Sequence, residues 1–283
     1  MKRKTVTAHC LVKNEARFVW FSVMSVINHV DQILLWDTGS RDGTIEIIEE
    51  IRKADKNKKI HFKEYGPVDS QTFAIARQDM LEATNTDWLL VVDGDEVWWD
   101  DSIRKVVEAI QDDGENLESI VVPTYNLVGD IFHYQEPLAG NYNLAGRRGH
   151  LNLRGINRKI SGLSSSGVHG VWGWTDENGE MIQDRDSSKI TFVDAPYLHA
   201  TNISRAAKFD LEKDVPKRSK KLKYELGLSF PYDFYYPEVL FRYRPKVVTS
   251  PWIKSDYAYK FRAFFETPLK KAKRRLIPSG VGY

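Results

Sequence analysis

The first 112 residues repeat one pattern: a short apolar run ending in polar or acidic residues, then a stretch of helical periodicity. Val6 to Val12 runs into Lys13-Asn14-Glu15, and a helix is expected from about Ala16 to Asn28. Gln32 to Trp36 is closed by a turn holding Asp37, Gly39, Asp42 and Gly43. Thr44 to Ala54 then carries Ile47, Ile48 and Ile51 on one helical face. Ile60 to Tyr65 reads as a strand, Thr72 to Ala83 as a helix, and Trp88 to Val92 as a fourth strand. Beyond Asp93-Gly94-Asp95, the residues Ile103, Val106, Val107 and Ile110 fall at i, i+3, i+4 and i+7 of a further helix. Such βαβα alternation confines the chain to an α/β fold, a mainly parallel sheet with helices on both faces.

From Ser119 the rhythm changes. Val121-Val122, Asn152 to Leu153, Val168 to Trp174 and Ile190 to Val193 read as short strands, with a hairpin turn at Asp176 to Gly179 and a loop at Ser161 to Gly167. After His199 the chain is expected to be helical and basic, then aromatic and proline-punctuated from Phe230 to Pro251. Composition narrows the class further. At 283 residues, 42% hydrophobic and 28% charged, the chain can bury a full core, which excludes disordered, collagenous and disulfide-scaffold classes. A lone Cys10 forms no internal bridge and no thiolate metal cage, so a reducing compartment is expected. The apolar runs are strand-sized, and Met1-Lys2-Arg3-Lys4 leads straight into strand-like sequence without the apolar stretch of a signal peptide. A cytoplasmic location is therefore expected. A net charge of +2 argues against a dedicated nucleic-acid binder.

In open α/β sheets, ligands sit beyond the carboxyl ends of the strands, where helix N-termini favour anions. Three expected strands end there in Lys13 and Glu15, in Asp37 with Asp42, and in Asp93 with Asp95. Asp42 is equally a helix cap before Gly43-Thr44. Asp93-Gly94-Asp95 is the sharpest feature: with a glycine allowing a tight bend, two carboxylates reach one hard divalent cation, which bridges them to a diphosphate. Arg77, on the preceding helix, adds a cation or is a solvated helix charge.

Leu11 to Glu15, Val30 to Thr44, Ala76-Arg77 and Trp88 to Glu96, in this order and spacing, resemble the inverting glycosyltransferase family 2. The resemblance implies a GT-A fold, a nucleotide-sugar donor (a UDP-sugar foremost) and Mn2+ or Mg2+. It places Lys13, Glu15, Asp37 and Asp42 around the base and ribose, and Arg77 near the nucleotide. Asp93 and Asp95 then form the Asp-x-Asp site, with Asp95 the direct metal ligand. Gln78 stands where this branch usually has Asn. More faintly, Ile156-Asn157-Arg158, Val168-His169 and Pro196 to His199 resemble later strands of the family, with Gly170 in place of an expected Glu. His199 becomes a third metal ligand or a satisfied core histidine, while His169 and Glu96 are the candidate catalytic acid–base groups. The implied reaction is sugar transfer with inversion to a saccharide or lipid-linked acceptor.

Two other classes remain open on the residues alone. Asp93-x-Asp95 after an apolar strand also fits a haloacid-dehalogenase-type phosphatase with Asp93 as nucleophile, and the missing Glu at position 170 leaves room for a catalytically dead sugar- or nucleotide-binding module. The expected organisation is a catalytic domain over residues 1–205, with a nucleotide-sugar half (1–112) and an acceptor half (113–205), followed by a helical extension over 206–283. Between Lys254 and Arg275 that extension carries eight basic and two acidic residues, with Tyr257, Phe261, Phe264 and Phe265 at i, i+4, i+7 and i+8 until Pro268 interrupts the helix. This pattern suits either an anionic membrane surface, with the enzyme peripheral on its inner face, or packing on the catalytic domain.

Overall fold

The computed structural model describes residues 2–168, 172–215, 218 and 223–276. Its centre is four parallel strands in the order β3-β2-β1-β4: β1 (Val6–Val12), β2 (Gln32–Asp37), β3 (Ile60–Glu64) and β4 (Trp88–Val91). Beyond β4 the sheet continues with antiparallel β10 (Leu151–Asn157), β6 (Ser119–Val128) and β7 (Asp130–Tyr134), so it is mixed around a parallel core. This is the α/β architecture that the resemblance implies.

Period-two alternation sorts the side chains to the two faces. Ala8, Cys10, Val12, Ile33, Leu35, Leu90 and Val92 enter the principal core. Helices α1 (Val19–Val26), α2 (Thr44–Ala54) and α4 (Asp100–Asp113) cover that face. Leu34 and Trp36, and separately Leu89 and Val91, face the opposite side, where α3 (Phe73–Glu82) packs through Met80 and Leu81.

Several expectations are corrected. The first helix is shorter than Ala16 to Asn28 because turns occupy its leading residues. A strand not expected, β5 (Glu96–Trp98), intervenes between the acidic triplet and α4. The supposed loop from Ser161 to Gly167 contains β11 (Ser164–Ser166), paired with β12 (Gly173–Thr175); part of the strand expected at Val168 to Trp174 lies outside the described residues. Behind β14 (Tyr197–Asn202), the described residues 203–215 form one 3-10 stretch, Phe209–Asp214, rather than an α-helix. The long C-terminal helix, α5 (Tyr257–Leu276), passes through Pro268 without interruption.

Candidate active site

The carboxyl ends of β4, β1 and β2 lie side by side, so the three polar clusters converge there. At the β1 end, Asn14 takes a positive φ of 53°, which its short amide side chain tolerates. Its Oδ1 accepts the Arg41 N–H at 2.8 Å, and its own N–H donates to Ser40 Oγ at 2.7 Å. At the β2 end, Asp37 is buried and already satisfied: Oδ1 accepts the N–H groups of Gly39 and Ser40, both at 2.8 Å, and Oδ2 accepts the Ser40 hydroxyl. Asp42 braces the turn before α2, whose N-cap is Gly43, accepting from Thr44 N at 3.1 Å through Oδ1 and from Ala16 N at 3.1 Å through Oδ2. Both acids thus hold the loops that follow β1 and β2. Lys13 stands partly buried beside them.

Asp93-Gly94-Asp95 follows β4. Gly94 is required by close approach rather than by a bend, since a Cβ there would sit 2.8 Å from Val12 Cγ1 and 2.9 Å from Glu15 Cγ. Asp93 keeps a third of its side chain in solvent, while Asp95 is buried. Antiparallel pairing of β5 with β14 sets His199 opposite Glu96, and the Ala200 N–H donates to the Asp95 carbonyl at 2.9 Å. That register brings His199 Nε2 to 3.4 Å from Asp95 Oδ2. Burial lowers the imidazole to about 4 against the pull of Asp95, so it is neutral near pH 7 and keeps a lone pair to donate.

Arginines dominate the remaining surroundings. Arg77, buried on α3 between Phe73 and Trp172, donates to Asp93 Oδ1 at 2.7 Å. Arg154 pairs with Glu96 and lies 3.4 Å from Asp93. Burial opposes the charge on Asp93, but Arg154 and Arg77 outweigh it and hold that carboxyl well below the usual range. Arg205 meets Asp95 Oδ2 at 2.5 Å and Glu15 at 3.4 Å, and Arg218 pairs with Glu15. Glu96 is wholly buried against Arg154, and burial raises it to about 8, so it does not face an acceptor in this arrangement. Glu15 is likewise buried and raised to about 8 against Arg205 and Arg218. His169 lies outside the described residues.

Sequence reasoning missed Arg154, Arg205 and Arg218. Arg158, in the segment that faintly resembles a later family strand, donates to the Thr86 carbonyl at 2.7 Å, away from the acids. Arg154 is the extra residue where the β10–β6 register slips between Leu153 and Gly155, and such a bulge re-aims a side chain. For Arg154 the signal available was a charged residue inside the strand Leu151–Asn157.

The donor set fits a divalent cation in part. Asp95 Oδ1 and His199 Nδ1 are buried without a hydrogen-bond partner among the described residues. One ionised carboxylate with one neutral imidazole suits Mn2+ better than the oxygen-seeking Mg2+. Among the described residues no three His, Cys, Asp or Glu side chains form a cation cage, so a cation here needs further oxygens from water or a ligand.

A sequence model of one protein family, described as Glycosyl transferase family 2, matches residues 10–168. No protein of curated function matches the sequence. Among solved structures, the chain is similar to the mannosyltransferase PcManGT from Pyrobaculum calidifontis in complex with GDP-Man and Mn2+. The identity is 15% and the TM-score 0.41, over 56% of this chain and 46% of that one. It is also similar to S. aureus TarS, at 11% identity and TM-score 0.43, over 70% of this chain and 37% of that one. A third likeness is to glucosyl-3-phosphoglycerate synthase from Mycobacterium tuberculosis in complex with Mg2+ and UDP. There the identity is 17% and the TM-score 0.44, over 75% and 80% of the two chains. The chain therefore spans less than half the length of the first two.

Proposed function

The chain belongs to glycosyl transferase family 2, and from that premise we propose that it transfers a sugar from a nucleotide-sugar donor to an acceptor hydroxyl with inversion, using Asp95 and His199 to hold a Mn2+ ion. The observation that carries this reading is the approach of His199 to 3.4 Å from Asp95, two residues from opposite halves of the chain. Family membership removes the phosphatase reading of Asp93.

When bound, the cation offsets charge on the departing nucleoside diphosphate. The chain's own residues do the rest. Asp95 presents a buried carboxylate that Arg205 holds ionised against the cost of burial. Arg77 and Arg154 fix Asp93 at the pocket mouth and supply preorganised positive charge beside the diphosphate position. Asp37, Asp42 and Asn14 hold the loops that frame the nucleoside end. Inversion requires a base on the face opposite the diphosphate; His169 is our candidate for it, because Glu96 is enclosed by Arg154.

Titration calorimetry of UDP and GDP with and without Mn2+ tests the assignment. Asp95→Asn and His199→Ala each lower Mn2+-dependent affinity by more than about tenfold, the loss expected when a direct ligand is removed. Nucleotide binding that ignores Mn2+, or an Asp95→Asn protein of unchanged affinity, would overturn it. Turnover of the donor by wild-type protein separates an enzyme from a binding module.

A further inference from the structure

Helix α5 is held to the protein by the wrong face for an ordinary surface helix. Ala263 and Thr267 are buried, while Tyr259, Glu266, Lys270 and Arg274 are partly buried, a stripe at helical spacing that faces inward. Its anchors are polar. The Tyr259 hydroxyl donates to the Lys223 carbonyl at 2.7 Å, and Thr267 Oγ1 accepts the Leu226 N–H at 2.9 Å. Lys270 donates to the Tyr224 carbonyl at 2.7 Å, and Arg274 pairs with Glu225 at 2.5 Å.

The apolar residues are left outside. Tyr257 is 91% exposed, Phe261 72%, Phe264 64%, Phe265 59% and Leu269 72%, which removes the alternative that this stripe packs on the catalytic domain. At about 100° per residue these side chains share one arc with Pro268, Ala272 and Leu276. Contiguous exposed apolar surface of this kind marks an interaction face. Lys260 and Lys271 line one edge of the arc, Arg262 and Lys273 the other, and Arg275 falls in line with Tyr257 at the helix's C-terminal end. The only acid within the helix, Glu266, is turned inward and paired with Arg262 and Lys270.

We propose that α5 lies flat on an anionic lipid surface, its rings entering the acyl boundary and its bordering cations meeting headgroup phosphates. Charge complementarity selects this occupant. A second copy of the same face would set cation rows against cation rows, whereas an anionic bilayer satisfies both edges at once. Lys260, Lys271, Lys273 and Arg275 have no ion-pair partner among the described residues, so docking breaks no internal pair of theirs. Among the described residues no helix is long and apolar enough to cross a membrane, so attachment through α5 is peripheral. The proposal does not depend on the sugar-transfer reading.

The test is co-sedimentation of the full chain with vesicles of phosphatidylcholine, alone or mixed with phosphatidylglycerol, at low and raised salt. Wild-type protein sediments with the mixed vesicles at low salt, and salt weakens it. Phe261→Ser/Phe264→Ser/Leu269→Ser lowers partitioning by about a hundredfold. Lys271→Glu/Lys273→Glu lowers it by at least about tenfold through charge alone. In both variants Mn2+-dependent nucleotide affinity stays at the wild-type value. No sedimentation of wild-type protein at low salt, or equal sedimentation of the triple variant, overturns the proposal. So does a solution dimer that the triple variant dissolves while vesicles bind neither form, which would assign the face to a second copy.

Discussion

At the residue scale, the pocket is a set of buried charges that make sense only in pairs. Arg154 and Glu96 are the clearest case, one placed by a bulge in β10 and the other by the short strand β5. Arg154→Met removes the cation that opposes burial of Glu96, so the acid, already raised to about 8, stays protonated and loses its hydrogen-bond partner, which should cost about 1–3 kcal/mol. Adding Glu96→Leu should return most of that, because the unpaired polar group is gone. Urea unfolding of both variants checks this, and equal losses would show that the two groups are not coupled. His9, away from the pocket, carries a pH prediction. It is fully buried on β1 with Nε2 2.6 Å from Thr84 Oγ1, and burial, with Arg77 and Arg158 adding to it, lowers it from 6.5 to about 3. Between those values the unfolded chain binds a proton that the folded chain refuses. Stability is therefore complete above about pH 6.5 and is lost as pH falls toward 3, by on the order of 4 kcal/mol from this group. His9→Gln should flatten that part of the stability–pH curve, and an unchanged slope would exclude His9 as its source.

At the element scale, α5 and β5 show how tertiary context decides local structure. Pro268 has no N–H for the carbonyl one turn back, a defect that ordinarily breaks a helix. The turn survives because Thr267, Lys270 and Arg274 tie it to residues 224–226, and the Thr267 hydroxyl donates to the Ala263 carbonyl at 2.6 Å. Pro268→Ala should stabilise α5 locally by up to about 3 kcal/mol, read as slower amide exchange along the helix. Unaltered exchange would mean that the proline carries no cost there. The three residues of β5 offer no periodicity to read. They become a strand because β14 supplies their hydrogen bonds, and that same pairing delivers His199 to Asp95.

At the scale of the whole molecule, the principal core runs from Val6 to Val248 and takes in Phe230, Val239 and Leu240 alongside Trp99 and Ile131. The Trp99 indole also donates to the Tyr235 carbonyl at 2.8 Å. Denaturant unfolding followed by tryptophan fluorescence and by far-ultraviolet circular dichroism should then give one coincident transition through residue 250. Two separated transitions would establish a domain boundary near residue 205 instead. The sequence by itself determined the parallel α/β half, because its helices and its four parallel strands carry their own periodicity and three of those strands, β1, β2 and β4, end in the polar residues of the site. The placement of Asp37, Asp42, Asp93 and Asp95 at those ends was legible for that reason, as was the basic and aromatic composition of α5. Only the tertiary structure decided that Asp42 ties the turn before α2 to Ala16, that Glu96 faces Arg154 rather than solvent, and that Arg154, Arg205 and Arg218 complete the charge network. It also decided which way the aromatic stripe of α5 faces. These are long-range pairings, set by strand register, a bulge and the burial of opposite charges, and no local pattern encodes where a side chain's partner lies in the fold.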